Sequence, residues 1–374
     1  MNTQYFLIWR RETVKRVLLT LIALTVGGTE CSHAAMIYSA SDGSSVDLYG
    51  RLGFNLSDKK TGHTSGGFDG RIGFSGRQVI NEHLAVIGLA QYQMNAAEYA
   101  NNISAENPHD LTARYVWAGM DLGEYGRLTG GRVTSGLIMF TDIGDVFASF
   151  DVAVARQAKY VDPTAVQVFR QDGTVQYQNS FSDFDFSVAW IPGNDSSDLD
   201  YGYNTALRYT FDMGNSGQLQ PVIAGQVTKA GHSNTSRLQY SDADKFTFYG
   251  LGTRYYLGDV TLGLLYGRDN VTWTGHTPDS TDRDYETTLV WNVSPDWVFR
   301  TGYRHLKNKG GDGLQLRDTT FEVQYKLTRR SSVFASYSWR NGEKGKERIT
   351  HKMVSFGGSD PSKDYFHLGL RYEF

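Results

Sequence analysis

The sequence predicts an all-β fold, a 16-stranded antiparallel transmembrane β-barrel, and three observations lead there. The first is a period of two. In the last segment Phe366, Leu368, Leu370, Tyr372 and Phe374 alternate with His367, Gly369, Arg371 and Glu373. One face is apolar and aromatic, the other mostly polar, which is a strand pattern. Charges on the second face do not suit a dry sandwich core. They suit a barrel that is greasy outside and wet inside. The second observation is composition: 23 Tyr, 20 Phe and 41 Gly but 7 Pro in 374 residues, with a mean hydropathy of -0.41. Many adjacent strands with one wet face need that mixture. The third is an alternation of short and long connections, as expected when tight turns lie on one side of a membrane and loops on the other. In hydrocarbon every backbone N–H and C=O must be paired internally, which a closed barrel achieves.

Taken in order, the chain opens with Arg10, Arg11, Lys15 and Arg16, then an apolar run from Val17 to Val26, then Ser32-His33-Ala34. This predicts a signal peptide over 1–34, cut after Ala34, followed by one barrel domain over 35–374. The apolar run is too short to cross a bilayer of roughly 30 Å as a helix. The single cysteine, Cys31, falls in the removed segment, so no disulfide is expected. Strands are predicted at 46–54, 69–78, 83–95, 111–122, 126–134, 174–179, 184–191, 201–211, 218–229, 246–257, 260–269, 283–293, 297–306, 317–327, 331–340 and 364–374. Gly258-Asp259 and Thr328-Arg329-Arg330 are among the short connections; 55–68, 96–110, 230–245, 270–282 and 341–363 are long. Tyr115 with Trp117, Tyr255 with Tyr256, and Trp291 with Trp297 are candidates for aromatic girdles at the membrane surfaces.

Other classes fit poorly. A formal net charge of -3 offers no basic excess for a nucleic-acid partner. The nine histidines are scattered without metal-ligand spacing, and no Gly-x-Ser-x-Gly elbow occurs. No enzyme, metal or cofactor is expected.

Several segments resemble the general, non-specific diffusion porins of Gram-negative outer membranes. Val46-Asp47-Leu48-Tyr49-Gly50-Arg51 is similar to that family's first strand, and Arg71-Ile72-Gly73-Phe74-Ser75-Gly76 to its second. Arg114 to Met120 resembles its fourth, and Gly126 to Arg132 the strand leading into its constriction loop. The ending Arg371-Tyr372-Glu373-Phe374 resembles its assembly signal, read by the barrel assembly machinery, with Phe374 and Tyr372 as the signal residues. The resemblance implies a homotrimer among outer-membrane lipids that passes small hydrophilic solutes and ions. It also implies that the long connection from about Ser135 to Gly173 folds into the lumen, as a loop of that length is usually functional.

In this family basic side chains on the wall face acidic ones on the inward loop, a way for pores to select by charge. Alternation places Arg51 opposite Leu52 and Phe54, Arg71 opposite Ile72 and Phe74, and Arg114 opposite Tyr115 and Trp117, so all three arginines are expected in the lumen. Arg170 fits the family spacing for a fourth member, with Arg156 as the alternative. The acidic side departs from the family's Pro-Glu-Phe-Gly-Gly. Here it reads Thr141-Asp142-Ile143-Gly144-Asp145, leaving Asp142 and Asp145 as the candidates. A hairpin is expected over 166–178 around Asp172-Gly173. A substrate-specific sugar or oligosaccharide channel is the alternative function, with Tyr160, Phe169 and Tyr177 as a possible aromatic ladder.

Overall fold

The computed structural model describes residues 35–59, 62–94, 111–149, 152–194, 199–231, 242–275, 277–354, 356 and 359–374. The expected signal peptide and the connection 96–110 lie outside the described residues. Sixteen long strands follow: β1 (Ser45–Ser57), β2 (Ser65–Asn81), β3 (Leu84–Met94), β4 (Leu111–Asp121), β5 (Arg127–Arg132), β6 (Thr174–Phe181), β7 (Phe184–Asn194) and β8 (Leu199–Tyr209). The second half comprises β9 (Gln218–Ala230), β10 (Ala243–Leu257), β11 (Val260–Trp273), β12 (Ser280–Asn292), β13 (Trp297–Lys309), β14 (Gln315–Thr328), β15 (Ser331–Arg340) and β16 (Tyr365–Glu373). Each pairs antiparallel with its sequence neighbour, and β16 closes on β1 from Arg51↔Glu373 to Ser57↔His367.

Closure is complete along β1. Where β16 ends, Phe374 continues the ladder by exchanging backbone bonds of 2.9 and 3.0 Å with Gly50. Beyond that a short strand, Ala35–Ser39, pairs with the start of β1 from Ala35↔Leu48 to Ser39↔Ser45. Together these partners cover the seam edge of β1. The Phe374 ring lies over Gly50, where an added Cβ would stand 2.8 Å from Cζ. Only a glycine lets the ring seat there, and Tyr372 flanks it at 6.0 Å.

Alternation decides what faces lipid. On β15 Val333, Tyr337 and Trp339 are exposed while Ser332, Phe334, Ser336 and Arg340 are buried toward the lumen. Aromatics gather near the short turns, where Phe184 packs edge-on to Tyr209 at 4.5 Å and Trp297 lies 4.7 Å from Tyr325. A second group, including Tyr249, Tyr285, Tyr303 and Trp339, lies near the long connections. These are the two girdles of a membrane barrel.

Strand order and number agree with the sequence expectation, but several strands run further toward the long connections; β13, for example, reaches Lys309. The girdle expectation needs correcting at β4. From Tyr115 onward the exposed residues are Val116, Ala118 and Met120, so Tyr115 and Trp117 face the lumen. A bulge is the cause: Gln91 pairs with Tyr115 but Tyr92 pairs with Ala113, leaving Arg114 as the extra residue. Of the other pairs, Trp291 and Trp297 are exposed on the outer face. Tyr255 shares the outer face with Tyr249 and Leu251, and Tyr256 points inward.

Candidate pore constriction

The connection between β5 and β6, residues 133–173 (L3), runs inside the barrel. Gln176 on β6 fixes its start, accepting from Gly136 N–H and donating to the Thr134 carbonyl, both at 2.9 Å. A single helical turn follows, α1 (Ile138–Thr141). Leu137, Phe140, Ile143, Val152, Val154 and Val161 are fully buried. They pack against inward-facing apolar residues of β7 to β11, among them Ile191, Val222, Phe246, Phe248, Leu265 and Val271. Each such side chain contributes roughly 1.5–3 kcal/mol by leaving water. This half of the lumen is therefore dry, and the wall is shaped for it. A Cβ on Gly250 would stand 2.6 Å from the Phe140 ring, one on Gly252 2.5 Å from Ile143, and one on Gly302 2.9 Å from Phe147. Glycine at these points gives the loop a groove to lie in.

Polar clamps hold the backbone of L3 further along the wall. Glu286 on β12 accepts from Ala153 N–H at 2.9 Å. Glu322 on β14 accepts from Ala148 N–H at 3.0 Å and from Arg300 at 3.0 Å. Thr288 donates to the Ile143 carbonyl at 2.9 Å, and Arg254 donates to that of Asp142. Arg156 bridges Asp282 at 2.8 Å and Asp312 at 2.6 Å. Burial alone would lower the Arg156 pKa, but the two carboxylates outweigh it and hold it above its ordinary value. Gln157 donates to Asp269 and accepts from Ser280. Beyond the loop, Arg304 and Arg340 share Asp318. Asp269, Asp282, Glu286, Asp318 and Glu322 are thus turned toward L3 or toward arginines, and charge-assisted bonds of this kind are the stronger ones; buried Asp284 stands beside Glu286 in the field of Arg304.

The opposite side of the lumen is basic. Arg51 pairs with Asp69 at 2.7 Å and stands across the ladder from Arg71. Arg371 joins them in the field at Asp69. Arg114 donates to Gln91 at 2.8 Å and to Gln93 at 3.4 Å. Its inward direction was expected from simple alternation, but the bulge produces it. Arg170, on the returning limb of L3, lies over the Tyr115 ring at 5.1 Å. Arg132 donates to the Thr164 carbonyl at 2.9 Å and pairs with Asp172 at 2.5 Å. The structure thus gathers Arg51, Arg71, Arg114 and Arg170 on the side of β1 to β5, and adds Arg132 and Arg371. Arg156, the alternative to Arg170, is a clamp.

The acidic candidates separate. Asp142 lies toward the docked wall, near Arg254 and Arg208. Burial pushes its pKa up, and those arginines only partly oppose this. Asp145 is exposed on the loop. At the loop's far end Lys59, just past β1, donates to the Ser149 carbonyl at 3.3 Å, so L3 reaches round the lumen to the closing seam. The expected hairpin around Asp172-Gly173 is not formed. The chain reverses earlier, with Val166 bridged to Arg170 and Gln167 at φ 49°, and β6 starts at Thr174. The proposed aromatic ladder also dissolves. Tyr160 is buried against Trp273, Phe169 packs on the loop's core, and Tyr177 shares the outer face with exposed Val175.

A second inward feature had no sequence signal. The connection between β15 and β16, residues 341–364 (L8), crosses the mouth. Phe356 packs on lumen-facing Leu306, Leu314 and Leu316 and on Ala153 of L3. Arg348 reaches Asp242 with bonds of 2.6 and 2.7 Å and lies 4.3 Å over the Trp273 ring.

A family model described as Gram-negative porin matches residues 20–345. The chain belongs to the Gram-negative porin family. It is 23% identical over 341 residues to the outer membrane porin PhoE of Enterobacter cloacae, covering 87% of this chain and 92% of that one. It is 26% identical over 331 residues to outer membrane porin C of Salmonella typhimurium, covering 80% and 82%. Among solved structures, OmpF of Salmonella typhi in complex with daunomycin superposes with a TM-score of 0.71 at 18% identity, over 91% of this chain and 100% of that one. This porin is an outer-membrane β-barrel that forms a channel for passive diffusion of small hydrophilic solutes and ions.

Proposed function

We propose that the channel favours small anions, because L3 covers the acid-bearing half of the lumen and leaves the arginine-bearing half open. The observation that carries this is the docking of L3 along β7 to β14, where Glu286, Glu322, Asp269 and Asp282 are spent on loop N–H groups, Gln157 and Arg156. Paired and buried, those carboxylates project little charge into the remaining passage. Arg51, Arg71, Arg114 and Arg132 line the other side, with Asp69, Asp172 and exposed Asp145 as partial counterweights. A surplus of one sign in a narrow passage raises the local concentration of counter-ions. We read the chain as a channel rather than a barrel enzyme, and as a homotrimer. Exposed Leu52, Phe54, Phe74, Leu111 and Met120 give β1, β2 and β4 an apolar outer face that a neighbouring copy could cover.

The test is the reversal potential of single channels under a salt gradient. The unaltered protein is expected to show anion preference, and the R51Q/R71Q/R114Q variant to move toward cations. A variant with the parent's reversal potential would refute the role given to these arginines. Conductance rising in steps of three would support the trimer.

A further inference from the structure

The bulge on β4 places two side chains together that a regular strand would separate. Neighbouring residues of a strand take opposite faces, so with Arg114 in the lumen Tyr115 would point into the lipid. Here Tyr92 pairs with Ala113 and Gln91 with Tyr115, Arg114 is the inserted residue, and both side chains reach the lumen. A cation and an aromatic ring thereby stand side by side on one wall. Gln91 and Gln93 hold the Arg114 guanidinium at 2.8 and 3.4 Å. Its centre is 6.0 Å from the Tyr115 ring, at the limit of a cation–π contact. The nearer cation is Arg170, which comes from L3 and lies 5.1 Å over the same ring.

The backbone of Arg170 is well anchored. The turn that carries it closes with Val166 N–H on the Arg170 carbonyl at 3.0 Å and Phe169 N–H on the Val166 carbonyl at 3.1 Å. Ser135 N–H donates to the Phe169 carbonyl at 3.0 Å, which ties the turn to the start of L3. Arg132 fastens the returning limb on either side of Arg170, at the Thr164 carbonyl and at Asp172. Its Nε also donates to the Arg114 carbonyl at 3.1 Å, so one arginine staples the limb to the bulge. Anchoring the backbone does not fix a guanidinium at the end of a long, rotamer-rich stem. A planar contact such as the Tyr115 face does.

We propose that Tyr115 is a positioning residue for ion selection: its face seats the Arg170 guanidinium beside Arg114 and keeps that loop cation in the arginine layer of the passage. The proposal rests on the anion preference inferred above and adds an uncharged residue to the set that determines it. A ring suits this place for an electrostatic reason. Its face is negative through the π-quadrupole, so it attracts the guanidinium without neutralising it. A carboxylate at the same position would hold Arg170 equally well and cancel its charge.

The test compares reversal potentials under a KCl gradient for the full barrel carrying Tyr115→Phe, Tyr115→Leu or Tyr115→pentafluorophenylalanine, each first shown to be folded by its heat-modifiable mobility. The fluorinated ring keeps the shape of phenylalanine and reverses the charge on its face, so it separates seating from packing and should fold wherever Tyr115→Phe folds. Tyr115→Phe is expected to keep the parent's reversal potential. The leucine and fluorinated variants should shift toward cations, in the direction of R170Q and no further than R170Q. In the R170Q background the same replacements should add no shift, because the group that the ring seats is gone. A fluorinated variant that matches Tyr115→Phe overturns the proposal, since the ring then only packs. A further shift on the R170Q background overturns it as well, since Tyr115 then acts through another group. A parent that prefers cations would refute the anion preference itself and leave these comparisons standing, because each variant is read against the parent.

Discussion

Replacing Gly250 with alanine tests whether L3 is held by shape as well as by charge. An added Cβ would stand 2.6, 2.7 and 2.8 Å from three atoms of the Phe140 ring, where ordinary contact begins at 3.4 Å. The ring must therefore withdraw by close to 1 Å, on the order of what overpacked cores force at a cost of about 1–3 kcal/mol. It cannot slide along the wall. Phe248 packs against it at 5.6 Å, and Ile143 is seated on Gly252 two residues along. The free direction is inward, carrying α1 into the passage. Six fully buried side chains contributing roughly 1.5–3 kcal/mol each keep the loop docked, so the barrel should still fold and shift on heating as the parent does. Single-channel conductance should fall. Adding F140A should restore it, because the space the ring vacates accepts the methyl. Gly225 on β9 is the control: a Cβ there meets only the Phe248 carbonyl at 3.5 Å, so G225A should conduct like the parent. If G250A and G225A both match the parent, the loop does not bear on the wall as described.

Other expectations concern the clamps and the seam. E322A leaves Ala148 N–H without its acceptor and Arg300 with Gln324 in place of a carboxylate, a loss of roughly 1.5–3 kcal/mol per charged bond; open-channel current noise should rise, and noise equal to the parent's would count against the clamp. R348Q should free L8 from Asp242 and Trp273 and raise conductance, while an unchanged value would mean L8 does not narrow the mouth. Burial raises the Asp142 pKa, so on acidification this carboxyl takes up its proton before an exposed one does. Because that carboxyl faces the docked wall, D142N should leave the reversal potential close to the parent's, whereas D145N, which removes an exposed counterweight, should increase anion preference; a D145N channel with the parent's selectivity rejects this. Deleting Phe374 removes its two backbone bonds to Gly50 and uncovers β1, so the yield of folded, heat-modifiable barrel should drop, and a normal yield would refute its role in closure.

The barrel was legible because its rule is local. A strand between water and lipid must alternate, so the sequence of β15 or β16 carries its own orientation, and Arg51 and Arg71 follow from their neighbours. The rule fails wherever one residue is inserted. At Arg114 the bulge turned Tyr115 and Trp117 inward, and nothing in Ala113-Arg114-Tyr115-Val116 announces it, because the bulge is defined by pairing with Gln91 and Tyr92. L3 is hard to read for a related reason. Asp142 and Asp145 lie three residues apart on one turn, and only tertiary packing decides which faces the docked wall. One signal of that packing was available. On the docked wall, inward Gly250, Gly252 and Gly302 alternate with large outward Tyr249, Leu251 and Tyr303. In a water-filled barrel an inward glycine costs strand stability and fills no space, so a cluster of them on neighbouring strands implies that something else lies against the wall. The same logic applies to charge. Acids on β11 to β14 look like a cation-attracting lining when counted along the sequence. Asp269, Asp282, Glu286 and Glu322 lose that character once the loop supplies their hydrogen-bond partners. What a solute meets is the part of the lumen that the docked loop leaves uncovered, and in the reading proposed above that part is the side bearing Arg51, Arg71, Arg114 and Arg132.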